Sequence, residues 1–82
     1  MSATSVMNLV PATINTELSW AKHYYHDGLK AAEHGDLHDL IMSRELYEHI
    51  VATSTNPKAR LIAEARLHKI RNVISIVLKK PA

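Results

Sequence analysis

Eighty-two residues without a cysteine make a single domain with a small core, and they exclude a disulfide framework and a thiolate metal site. No apolar run approaches the roughly 20 residues of a bilayer span. The first basic residue, Lys22, comes too late for the charged start of a secretory signal, so a cytoplasmic setting is expected. The formal charge of +2 is unevenly divided: residues 1–57 carry −4, and residues 58–82 carry +6 with Glu64 as their one acid.

Residues 1–15 are small and Thr/Ser-rich with no clear apolar period, which predicts a partly ordered N-terminal arm ahead of a helical domain over 16–82. Asn15 or Thr16 is expected to cap a first helix, with Glu17 in its first turn. Leu18, Ala21, Tyr25, Leu29 and Ala32 then follow one helical face. Gly35 is suited to the left-handed residue that ends this helix after His34, and Asp36 to capping the next one, with Asp39 adding charge to its first turn. The Gly-Asp pair therefore predicts a tight αα-hairpin near 16–53. The second helix should bury Leu37, Leu40, Ile41, Tyr47 and Val51, and stop at Thr53-Ser54-Thr55.

Asn56-Pro57 predicts the start of a long third helix near 57–78, a capping residue followed by Pro at the first helical position. Ala59, Ala63, Leu67, Ile70, Ile74 and Val77 form a heptad-like stripe along it. The β-branched run 73–78 is also open to a strand reading. The fold class expected is all-α, a small three-helix bundle made of an αα-hairpin plus a long third helix. The small core, the stripe and the opposed charges favour a homodimer.

Chemistry-bearing constellations are sparse. His23 and His26 lie three apart, and His34 and His38 flank Gly35-Asp36, but neither cluster has a recognised ligand spacing, so no metal is expected. There is no Gly-x-Ser-x-Gly turn, phosphate loop or dinucleotide fingerprint. The expectation is a chain that is not an enzyme and takes no cofactor.

Two arginines fall on apolar arcs: Arg44 between Leu40, Tyr47 and Val51, and Arg66 among Ile62, Ala63 and Ile70. Arginine there snorkels, pairs with an acid such as Glu45 or Glu48, or lines an interface with another chain. The interface reading gives a candidate protein-binding set of Arg44, Tyr47, Arg66, Ile70, Ile74 and Val77. The alternative is a nucleic-acid surface made of Lys58, Arg60, Lys69, Arg71, Lys79 and Lys80. Those cations flank the stripe in two rows, while Leu61 and Ile76 interrupt the outer face and no base-reading cluster forms. The leading expectation is therefore a regulatory module that binds another protein, with nucleic acid as the second choice.

Ala32-Glu33-His34-Gly35-Asp36-Leu37, Arg44-Glu45-Leu46-Tyr47-Glu48, Asn56-Pro57 and Ala63-Glu64-Ala65-Arg66 together resemble the ANR family, small negative regulators of AraC-type transcription activators, and the similar PerC-like regulators. The resemblance covers residues 31–70, with Glu33, Gly35-Asp36, Tyr47, Asn56, Ala63 and Arg66 in the matching places. It departs from the family pattern in the spacing of Glu33 from Gly35, in Tyr47 where Trp is usual, and in lacking a Cys near Ile70. It implies a regulator acting by contact with a transcription factor.

Overall fold

A computed structural model describes the backbone of residues 14–79 and the side chains of 16–79. Three helices follow one another: α1 (Ile14–Ala32), α2 (His38–Thr53) and α3 (Pro57–Lys79). The described residues form an all-helical bundle without strands, and α2 packs against both neighbours while α1 and α3 meet less closely. The run 73–78 continues α3 as helix. Packing of Val73, Ile74 and Val77 against the core outweighs the mild helix penalty of β-branched residues there. Of the expected arm, 1–13 lie outside the described residues, whereas Ile14 and Asn15 belong to α1. Asn15 and Thr16 are thus inside the helix and do not form its cap.

The α1–α2 turn closes as a Schellman motif. The Gly35 N–H donates to the Ala32 carbonyl (3.0 Å) and the Asp36 N–H to the Ala31 carbonyl (3.1 Å), with Gly35 at φ +84°. The Asp36 carboxylate then accepts from the His38 N–H at 3.0 Å. It does so from one residue ahead of the N-cap itself, which is Leu37. At the other junction Asn56 Oδ1 accepts from the N–H groups of Lys58 (2.9 Å) and Ala59 (3.3 Å), the expected cap in front of Pro57.

The core is narrow and rich in alanine: Ala21 and Ala32 from α1, Leu40, Tyr47 and Ile50 from α2, and Ala59, Ala63, Leu67 and Ile70 from α3. Small residues let the helices close on the few large ones, of which Tyr47 is the biggest fully buried. Gly28 is a contact point in the middle of α1. A Cβ built there would stand 2.7 Å from the Leu40 backbone nitrogen, so only glycine admits α2 at this distance. Ser43, buried and overlooked by the apolar pattern, donates its hydroxyl to the Ala21 carbonyl at 2.9 Å and ties α2 to α1. Ile41 and Val51 are half-buried, and Ile50 takes the core place instead.

Candidate protein-binding groove

The six residues of the protein-binding set do not form one patch. Tyr47 and Ile70 are fully buried within the protomer, so they have no surface left for a partner. Arg66 turns inward, and its Nη1 donates to the Tyr47 hydroxyl at 2.8 Å. Its guanidinium also lies 5.0 Å from the centroid of the Tyr25 ring and 6.0 Å from that of Tyr47. Tyr25 meets Tyr47 edge to face at 6.3 Å. The residue paired with Arg66 is thus a tyrosine from the core, neither Glu45 nor Glu48. Burial pushes the Tyr47 phenol above its ordinary pKa, against the opposing pull of the Arg66 hydrogen bond and charge.

Arg44, Ile74 and Val77 keep accessible surface. Arg44 and Ile74 come together in a groove of about 350 Å³ between α2 and α3, with Arg71, Ser75, Leu78 and Lys79 completing its lining. Val77 lines a different cleft, beside Leu37 and the Gly35 turn. The groove thus joins two residues of the protein-binding set to two of the basic set. It is shallow and mostly apolar, with Leu78 71% exposed. Its rim is cationic: Arg71 pairs with Glu48 at 3.3 Å, and neither Arg44 nor Lys79 has a carboxylate partner among the described residues. Lys58, Arg60 and Lys69 are exposed elsewhere on α3, and Lys80 lies outside the described residues.

A further surface feature escaped the sequence reading. Trp20, 54% exposed, stacks on Tyr24 with centroids 6.1 Å apart, and His23 meets both rings edge-on. The signal was present as an i, i+3, i+4 aromatic spacing on the polar side of α1. Three of the six histidines pair with acids: His23 with Asp27 (3.3 Å) and His38 with Asp39 (3.2 Å) within their own segments, and His49 of α2 with Glu17 of α1 (3.2 Å). No group of three or more metal-ligating side chains converges among the described residues, and none of the described helices is long and apolar enough to cross a membrane. No family model, curated protein or solved structure matches the chain.

Proposed function

We propose that this chain is a non-enzymatic regulatory module that works by binding another protein, in the cytoplasm and as a homodimer. The family resemblance adds a transcription regulator as the kind of partner. The observation that carries this reading is the α2–α3 groove, where exposed Leu78 and half-buried Ile74 lie beside Arg44 and Lys79. Apolar side chains beside an arginine suit a protein interface, where arginine is enriched relative to the rest of a protein surface. A phosphate backbone would gain from the cations and nothing from the leucine.

The nucleic-acid reading keeps one specific support: Lys58, Arg60 and Lys69 are exposed on α3 with no acid paired to them among the described residues. A photo-crosslinking amino acid in place of Leu78, compared with one in place of Lys22 on α1, separates the two. The expected result in the native host is a discrete protein adduct at position 78 that position 22 does not give. Adducts to nucleic acid alone would overturn the proposal.

A further inference from the structure

The chemistry of the groove selects its occupant. Arg71 spends its charge on Glu48 in an ion pair whose members are 60% and 47% exposed, which is worth little and is easily exchanged. Arg44 and Lys79 have no such partner among the described residues. The rim therefore presents excess positive charge beside apolar side chains that water covers poorly. We propose that the groove takes an acidic amphipathic helix, its apolar face on Ile74 and Leu78 and its carboxylates against Arg44, Arg71 and Lys79. This rests on the protein-binding reading above.

The spacing makes the partner more specific. Arg71 and Lys79 are eight residues apart on one helix, about 12 Å at 1.5 Å per residue. A partner helix lying along the groove meets them with acids seven or eight positions apart and apolar residues between, the helix-in-groove mode. A basic helix would be repelled by the rim.

The test is a displayed library of 16-residue amphipathic helices, apolar positions fixed and the rest drawn from Glu, Lys, Gln and Ala, selected against the full chain. Selected sequences should carry Glu at the seven- or eight-residue spacing. Leu78→Asp and Arg44→Glu should each weaken them about tenfold or more, while circular dichroism and melting show that both variants stay folded. A neutral or basic consensus, or binders indifferent to both variants, overturns the inference and leaves protein binding standing. So does a homodimer that Leu78→Asp dissociates, since the groove would then be filled by a second copy. No binders at all, with duplex DNA or phosphatidylserine vesicles bound instead, overturns both readings.

Discussion

Arg66 of α3 donates a 2.8 Å hydrogen bond to the hydroxyl of Tyr47, the largest fully buried side chain of α2. The bond answers two problems at once: a buried phenol needs a partner, and an arginine on an apolar arc needs somewhere to place its charge. Tyr47→Phe keeps the ring and removes the acceptor, and should cost about 1.5 kcal/mol in urea unfolding, the low end for a bond to a charged group, because Arg66 is only half-buried. A double-mutant cycle with Arg66→Met should return a coupling of about 1 kcal/mol. Additive effects would mean that the bond contributes nothing of its own.

The same phenol sets an alkaline limit. Its pKa is raised in the folded chain, so folding holds the proton more tightly than the unfolded chain does. The stabilisation is fully present below the ordinary phenol value of 10.0 and is lost as pH rises through the folded value. In an alkaline titration the last rise in phenolate absorbance should coincide with loss of helicity, and Tyr47→Phe should remove that late step. Complete phenolate formation while the helices stay intact would contradict this.

Gly28→Ala sets two effects against each other. Alanine favours a helix interior by about 1 kcal/mol, but its Cβ would meet the Leu40 nitrogen at 2.7 Å and the Leu40 Cα at 3.0 Å. Backbone cannot rotate aside, so α1 and α2 must separate, and overpacking of this kind costs ~1–3 kcal/mol. The expected net result is a lower melting temperature. A gain would show that the hairpin yields at little cost.

These sites mark where the sequence was readable. Turn chemistry was: Gly35-Asp36 and Asn56-Pro57 punctuate α1–α2 and α2–α3 because each residue type there answers a local backbone need. The α3 stripe was legible too, since its apolar period is long. Gly28 was not, because a mid-helix glycine reveals its role only when the facing helix is known. Ser43 and the partner of Arg66 were hidden for the same reason, since each bond joins residues at least 19 positions apart. Tyr47 and Ile70 show the converse limit: an apolar stripe looks the same whether its partner is the same chain or another.

Asn56→Ala removes the one acceptor for the Lys58 and Ala59 N–H groups. The loss should be about 1 kcal/mol, and Asn56→Asp should retain most of the stability because its carboxylate accepts the same bonds next to the positive helix end. Thermal unfolding of the pair checks this. An equal loss in both variants would place the stabilisation elsewhere than in the cap.

Self-association should come from the opposed charges and the exposed apolar residues, because the stripe on α3 is buried within the protomer from Ala59 to Ile70. α1 and α2 with their turn carry Glu17, Asp27, Glu33, Asp36, Asp39, Glu45 and Glu48 against Lys22, Lys30 and Arg44, while α3 has Glu64 as its one acid. Trp20, Leu61 and Ile76 lie exposed on these two oppositely charged parts. Sedimentation at micromolar concentration should report a dimer that weakens as salt rises, since screening at about 0.1 M already shortens the reach of charge to ~10 Å. Ile70→Asp does not test this, because Ile70 is fully buried and a charge there would unfold the protomer. Leu61→Asp and Trp20→Lys change exposed positions and should loosen the dimer with helicity intact. A chain that remains monomeric at low salt and micromolar concentration would remove self-association from the proposal.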